Sequence, residues 1–536
     1  MIYIFGHKKP DTDSVCSAIA LSKLKNKLGL NTVPRILDEV NPETKFVLKK
    51  FGFDEPKILN DVKLRIRNIN YKKDVFYNEY ESILSAYEKM LELDISAIPI
   101  VDKNKKLRGL FSMKDIAKIN FDLDDKLITS YQNILNCIEG KKVLSFDEEI
   151  FGNILVASYK STTFIENVTI DDSTIMIVGD RHSVIEYAVN KKAKAIILTG
   201  GSEMKEEHLK IAKENKVNVI YTNYNTYKIA KIINYANYVS KAMIDTSHVT
   251  YESDLVDDFK ILANRVKFNN YPVINSNDEC LGLLRLSDLG DTNPEKVILV
   301  DHNELSQSAE GIEQAEITEV IDHHKIGDIA SKVPINFRNM TVGSTCTIIY
   351  LMYKENNTTI DDSTLGLLMS GIISDTMLLN SPTTTKKDVE VLNEISNKLN
   401  IDYITYGKEM FYHGSSLKGK TFEEVIYNDF KKFDYNEFKI GIGQLLTTSV
   451  DEVKQNFSDY FNQLNEISKN EKYDILAFFV TDVIKKGSYM VFSENSKVHL
   501  EDSFKKFDLK VGDYFEGIVS RKTQIVPPIV DYLDRK

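Results

Sequence analysis

Four short stretches carry acid or imidazole groups at the end of a strongly apolar run. IYIFG leads into His7, Asp11 and Asp13; VILV into Asp301 and His302; EVI into Asp322, His323 and His324; and LLMSGIIS into Asp375. A mixed set of imidazoles and carboxylates suits a pair of divalent transition metals better than magnesium alone. Manganese or cobalt is preferred over zinc, because the set contains no thiolate. Two metals lower the pKa of a bridging water and hold the oxygens of an electrophile, which is what phosphoryl transfer requires. That chemistry also needs cations on the developing anion. GIVSRKTQIVPP, near the C-terminus, supplies Arg521 and Lys522, which read as adjacent cations behind an apolar strand. Each stretch alone has a plain explanation, His7 as a loop histidine and Asp13 or Asp375 as a helix cap. Four together ask for convergence.

Apolar runs that end in ligands read as strands of an open α/β sheet, whose carboxyl ends are where such folds build active sites. Residues 1–60 fit this pattern. A strand from Ile2 to Phe5 precedes a helix capped by Asp13 or Ser14, with Val15, Ala18, Leu21, Leu24 and Leu28 inward and Gly29 at its end. The pattern breaks near residue 62, at KLRIRNINYKK, and resumes at VILVDH, residues 297–302. The intervening segment reads as an insertion.

The insertion contains a repeat. SAIPIVDKNKKLRGLFSMKD and NNYPVINSNDECLGLLRLSD align without gaps, so that Pro99, Gly109 and Asp115 match Pro272, Gly282 and Asp288. Each copy reads as helix, strand, turn, strand and a helix opening at the Asp. A lone copy would leave one sheet face uncovered, so the two are expected to pair, with the Asp carboxylates placed to bind a ribose. Between them, residues 126–240 alternate strand and helix and include Asp180, Arg181, Thr199, Gly200 and Gly201.

Composition narrows the function classes. With 536 residues the chain is expected to form three or four domains. Its 68 Lys and Arg against 79 Asp and Glu leave a net charge of −11, without the field of a nucleic-acid or anionic-membrane binder, so an anion site must be built locally. Cys16, Cys137, Cys280 and Cys346 are scattered and show no CxxC spacing, which excludes zinc fingers, redox motifs and a disulfide framework. The N-terminus lacks a signal-peptide pattern and no apolar run reaches 18 residues, so a cytoplasmic location is expected, with neither membrane nor nucleic acid as partner. GSSLKGKT, residues 414–421, satisfies the P-loop expression, but the preceding YGKEMFYH is polar and helical in period where a P-loop needs a strand. It reads as a linker with Lys418 and Lys420 solvated.

GHKKPDTDS, LVDHNE, VIDHH, ISDT followed by SPTT, and SRKTQ, in that order, resemble the DHH phosphoesterase superfamily and, within it, the family II inorganic pyrophosphatases. The repeats resemble CBS domains, and the unit between them resembles the DRTGG domain, as in the nucleotide-regulated subgroup. The resemblance implies an α/β fold in which a DHH-type parallel-sheet catalytic domain (residues 1–66 and 293–405) is interrupted by CBS (67–125), DRTGG (126–240) and CBS (241–292) units. A smaller C-terminal α/β catalytic domain of DHHA2 type follows (410–536). The implied reaction is hydrolysis of pyrophosphate to two phosphates.

In that family the positions matching His7, Asp11 and Asp301 hold one metal, and those matching Asp13, Asp301, His323 and Asp375 hold the second, with magnesium accompanying substrate. His324 would face the leaving phosphate, and Lys431, Arg521 and Lys522 would clamp the substrate. Lys9 stands where the family often has Asn. In the CBS ribose pattern, Ser112 and Asp115 match. In the second copy Arg285 replaces the expected Ser or Thr, so Asp288 need not hold a ribose while Arg285 is placed to reach a phosphate. The subgroup implies inhibition by AMP and ADP, activation by diadenosine polyphosphates, and a homodimer. The rival is another DHH phosphoesterase acting on short oligonucleotides, cyclic dinucleotides or polyphosphate. Those relatives carry a GGGH-type motif, whereas this chain has no GGG and has SRK, which suits a compact anion.

Overall fold

The computed structural model describes residues 1–536 apart from 120–124, 246, 247, 267, 332, 415–419, 448, 449, 483 and 484. Two compact units emerge: residues 1–63 with 294–536, and residues 64–293. The insertion inferred from the break near residue 62 is thus a unit of its own.

In the first unit a five-stranded sheet runs in the order Asn336–Asn339, Glu316–Asp322, Lys296–Val300, Ile2–Phe5, Thr32–Arg35, and every pairing is parallel. Parallel strands covered on both faces read as continuous apolar runs, and Val297 to Val300 are all buried. Ile2 pairs with Lys296 and Phe5 with Leu299, so strands separated by the whole insertion lie side by side. Helices Thr12–Lys27, Thr345–Glu355 and Asp362–Thr376 pack over the sheet through Leu21, Leu24, Ile349, Leu368 and Ile372.

Two expectations change here. LLMSGIIS is not a strand but lies within the helix Asp362–Thr376, which is buried on nearly all sides and therefore apolar all round. The cap of Thr12–Lys27 is Asp11, whose carboxylate accepts from Ser14 N–H at 2.9 Å, leaving Asp13 inside the first turn. Gly29 follows the end of that helix in the left-handed region (φ 89°).

After these helices comes a mixed sheet in the order Phe430–Tyr435, Phe438–Thr447, Ile475–Asp482, Gly487–Phe492, Asp513–Glu516. The apolar stretch before Arg521 is not a strand, because the sheet ends at Glu516. Arg521–Ile525 instead forms a π-helical turn leading into Val526–Leu533, whose first turn holds the prolines.

In the second unit each repeat copy is a helix followed by an antiparallel pair: Ile83–Glu92, Ala97–Val101 and Leu107–Ser112, then Val256–Val266, Asn270–Ile274 and Cys280–Arg285. Both pairs shift register at the matching place, Ile100/Val101 and Val273/Ile274. The copies do meet: Lys106 bridges Glu279, and Leu283 is buried with Ile98 and Phe111. The first copy closes on the helix Met113–Ile119, but the second closes on a short 3-10 turn, Leu286–Gly290. Lys72–Lys73, assigned by sequence to the first copy, pairs with Cys280–Arg285 of the second. Between the copies a six-stranded sheet spans 126–221, and Asp180 and Thr199 follow the adjacent parallel strands Thr174–Val178 and Ala195–Leu198. Arg181 is held by the carbonyls of Ala157 (2.8 Å) and Tyr159, and Gly200 and Gly201 both take positive φ.

Candidate metal centre

Three strand ends and two helix ends bring the acid and imidazole groups together. His7 follows Ile2–Phe5, Asp301 follows Lys296–Val300, and His323 and His324 follow Glu316–Asp322. Asp11 and Asp13 come from the start of Thr12–Lys27 and Asp375 from the end of Asp362–Thr376. The ligand atoms form three groups, each within 4.8 Å: His7, Asp11, Asp301; Asp13, Asp301, His323, Asp375; and Asp301, His323, His324. Asp301 is common to all three. It is buried and sits at φ 58°, a strained region for a residue with a side chain and a feature found at functional sites.

Hydrogen bonds at the far side of each ring set the tautomers. His7 Nδ1–H donates to the Lys8 carbonyl at 2.8 Å, so Nε2 is the nitrogen turned to Asp11 Oδ2 at 3.2 Å and Asp301 Oδ2 at 3.5 Å. His323 Nδ1–H donates to the Val342 carbonyl at 3.0 Å, and its Nε2 faces Asp301 Oδ1 at 3.3 Å and Asp375 Oδ2 at 3.2 Å. An imidazole nitrogen facing carboxylates at such distances needs a positive charge between them, either a proton on Nε2 or a metal ion bound to its lone pair. Asp301 Oδ2 and His323 Nε2 are also buried with no hydrogen-bond partner among the described residues. The donor set therefore fits two divalent ions sharing Asp301.

A proton can take that place on each ring. Burial alone would push His7 and His323 down, but Asp11 beside His7, and Asp301 and Asp375 beside His323, hold both well above the usual imidazole range. Burial, then Asp301 and Asp375, pushes Asp13 well up; burial also raises Asp375. Asp301 stays well below the carboxylate range because His323 and His7 outweigh its burial.

Supporting contacts went unread in the sequence. Asp13 accepts from Ser344 Oγ (2.7 Å), Thr345 N–H (2.7 Å) and Cys346 N–H (3.1 Å) at the start of Thr345–Glu355, where the helix dipole favours a carboxylate. Thr345 Oγ1 donates to Asp301 Oδ1 at 2.9 Å. The available signal was Ser344 as a cap before an apolar helical run. Asp322, noted only as part of its cluster, accepts from His324 Nδ1–H at 2.9 Å and from Asn303, leaving His324 Nε2 outward.

His302 does not join the group. Its Nδ1 contacts the Val300 carbonyl at 2.9 Å and its Nε2 contacts Ser308 Oγ at 3.1 Å, and burial pushes it down to about 4, so it is a neutral packing residue. Lys9 adopts φ 55°, a conformation Asn takes more readily.

Lys522 Nζ lies 3.0 Å from His324 Nε2. Arg521 donates to the carbonyl (2.9 Å) and carboxylate (2.7 Å) of Asp429. Desolvation, then Arg521 and Lys522, pushes Lys431 below the usual lysine range, which groups the three cations.

In the repeat, Asp115 Oδ2 accepts from Ser112 Oγ (2.6 Å) and Ser112 N–H (2.9 Å), and Lys118 takes its other oxygen at 2.9 Å. Asp288 holds the same relation to Arg285 N–H, but the Arg285 guanidinium folds onto it, with Nη2 2.8 Å and Nε 3.1 Å from Oδ1. Arg285 thus closes on its own repeat instead of reaching outward. In GSSLKGKT, residues 415–419, Lys418 included, lie outside the described residues; the segment before them is the helix Tyr403–Gly414, not the strand a P-loop needs.

The model of the DHH family, N-terminal domain, matches residues 1–372, and that of the DHHA2 domain matches residues 408–532. The cobalt-dependent inorganic pyrophosphatase of Clostridium perfringens is 33% identical over 545 residues, covering 99% of this chain and 98% of that protein. The manganese-dependent inorganic pyrophosphatase of Methanothrix thermoacetophila is 39% identical over 245 residues, 45% of this chain and 78% of that protein. A crystal structure of the CBS and DRTGG domains of the regulatory region of Clostridium perfringens pyrophosphatase, complexed with the activator diadenosine tetraphosphate, is similar at 25% identity and a TM-score of 0.39, covering 42% of this chain and 100% of that one.

Proposed function

Because the chain belongs to the family II inorganic pyrophosphatases of the DHH superfamily, we propose that this centre hydrolyses pyrophosphate to two phosphates. The observation that carries the reading is Asp301, shared between imidazoles whose Nε2 atoms face carboxylates. His7, Asp11 and Asp301 would hold one manganese or cobalt ion, and Asp13, Asp301, His323 and Asp375 the other. When bound, such ions lower the pKa of a water to give hydroxide at neutral pH and neutralise phosphoryl oxygens. Asp13 and Asp301 are kept in place by Ser344 and Thr345. Lys431, Arg521 and Lys522 take the charge of the magnesium-bound substrate, and His324, oriented by Asp322, meets the leaving phosphate.

Adenine nucleotides are the proposed regulators, AMP and ADP as inhibitors and diadenosine polyphosphates as activators. Ser112 and Asp115 place one carboxylate for a ribose, while Arg285 occupies its counterpart Asp288. Regulation requires that nucleotide favour one of two states. The domain bounds 1–66 with 293–405, 67–125 (its strand Lys72–Lys73 given to the second copy), 126–240, 241–292 and 410–536, a cytoplasmic location and a homodimer complete the proposal. No helix among the described residues is long and apolar enough to cross a membrane.

The test is phosphate release from pyrophosphate by metal-stripped protein reloaded with manganese, cobalt or magnesium, with and without AMP, beside Asp301→Ala. Release that needs a transition metal, vanishes in Asp301→Ala and falls with AMP supports the reading. Intact pyrophosphate with cleavage of a short oligonucleotide or cyclic dinucleotide would overturn the substrate assignment and the role of Arg521 and Lys522.

A further inference from the structure

Arg521 commits both terminal nitrogens to one residue. Nη1 donates to the Asp429 carbonyl and Nη2 to the Asp429 carboxylate. Nε–H is buried and has no acceptor among the described residues. A guanidinium carries five donors in a rigid fork, so two bonds to one residue leave little freedom for the rest. A shielded charged donor without an acceptor is costly unless a ligand provides one.

Asp429 is itself fixed. It ends the helix Phe422–Asn428, its carbonyl also accepts from Gln444 N–H at 2.9 Å, and the strand Phe430–Tyr435 that starts at the next residue carries Lys431. Gln444 reaches the other way as well, since its Nε2 donates to the Val519 carbonyl at 2.9 Å, two residues before Arg521. Residue 429 therefore joins two cation-bearing segments that lie about ninety residues apart in the chain. A carboxylate beside an anion site opposes the anion electrostatically, so its position needs a geometric reason.

We infer that Asp429 is a positioning residue, which fixes the Arg521 guanidinium relative to Lys431 and leaves Nε–H as the donor for a pyrophosphate oxygen. The inference rests on the pyrophosphatase reading of this clamp.

The test uses the full-length, cobalt-loaded enzyme with Asp429→Ala, Asp429→Ser, Asp429→Asn, Arg521→Ala and the Asp429→Ala/Arg521→Ala pair. Pyrophosphate KM and kcat are measured, together with calorimetric binding of the non-hydrolysable analogue imidodiphosphate and the melting temperature. Asp429→Ala is expected to raise KM and weaken imidodiphosphate binding by about tenfold or more. Asp429→Asn, which keeps the acceptor and removes the opposing charge, should bind the analogue at least as well as the unaltered enzyme. The double variant should be no weaker than Arg521→Ala. Asp429→Ser, too short to reach Nη2, replaces the alanine if that variant fails to fold. Unchanged binding in the Ala or Ser variant beside a damaged Arg521→Ala overturns the inference alone, as do additive losses in the double variant. Unchanged binding in Arg521→Ala overturns the clamp reading itself.

Discussion

Lys522 Nζ and His324 Nε2 stand 3.0 Å apart, so a cation from the turn behind the C-terminal sheet meets the imidazole that Asp322 orients beside Asp301. The contact ties the clamp to the metal centre through two side chains that both face substrate in the proposed reaction.

Removing either partner should therefore cost catalysis, and removing both should not double the loss. Lys522→Ala and His324→Gln are each expected to lower kcat/KM by about 10²–10³-fold, the scale of losing one stabilising donor. The double variant should fall short of the product of the two, because residues acting as a unit are not additive. Steady-state kinetics on the three variants checks this.

Thr345→Val keeps the size of the side chain and removes the donor to Asp301 Oδ1. Outer partners of metal ligands are worth about 10–100-fold in metal affinity. We expect metal titration of the stripped variant to show a loss in that range, with kcat approaching that of the unaltered enzyme at saturating metal. An unchanged affinity would remove Thr345 from the centre.

Arg285→Ser restores the residue type found at Ser112 and frees Asp288 from its guanidinium. AMP binding by calorimetry should move from one site toward two per chain, and Asp115→Ala should remove the original site. One site in both the variant and the unaltered chain would show that Arg285 is not what limits the second copy.

Asp361 caps the helix that carries Asp375 in its last turn: its carboxylate accepts from Thr364 N–H at 3.0 Å and pairs with Lys23 at 2.9 Å. Burial opposes ionisation, but Lys23 and Thr364 outweigh it and bring Asp361 to about 2. A carboxylate with a depressed pKa stabilises the fold above its unfolded value of about 3.9, and that stability is lost as pH falls through the folded value. Asp361→Ala should cost about 1 kcal/mol at neutral pH by denaturant unfolding. The difference from the unaltered protein should shrink between pH 4 and about 2.

Most of the acid and imidazole cluster was legible because strand-end carboxylates and imidazoles are rare outside such sites, and four clusters of them read together. The reading failed where neighbours in sequence part in space. Asp301 turns inward at positive φ, and His302, one residue on, turns into the protein toward Ser308. LLMSGIIS was ambiguous in principle, since a short apolar run has the same appearance in a buried strand and a buried helix. Ser344 was legible as a helix cap, but the carboxylates that Ser344 and Thr345 serve were hidden for another reason. The value of both residues lies in donating to carboxylates more than 300 and about 40 residues away, and nothing in the spacing of hydroxyls reports such a partner. The repeat was legible as two units, but not the placement of Lys72–Lys73 in the second copy's sheet, because two residues carry no periodicity.

The side-by-side pairing of Ile2–Phe5 with Lys296–Leu299 also orders events during synthesis. His7, Asp11 and Asp13 leave the ribosome first, and about 290 further residues follow before Asp301 emerges. The insertion, a compact unit with its own cores, can fold in that interval. The central strand of the first sheet must wait, and long-range parallel pairing is slow. Metal capture by the proposed donor set would thereby come at the end of folding, reporting that both halves of the sheet have found each other.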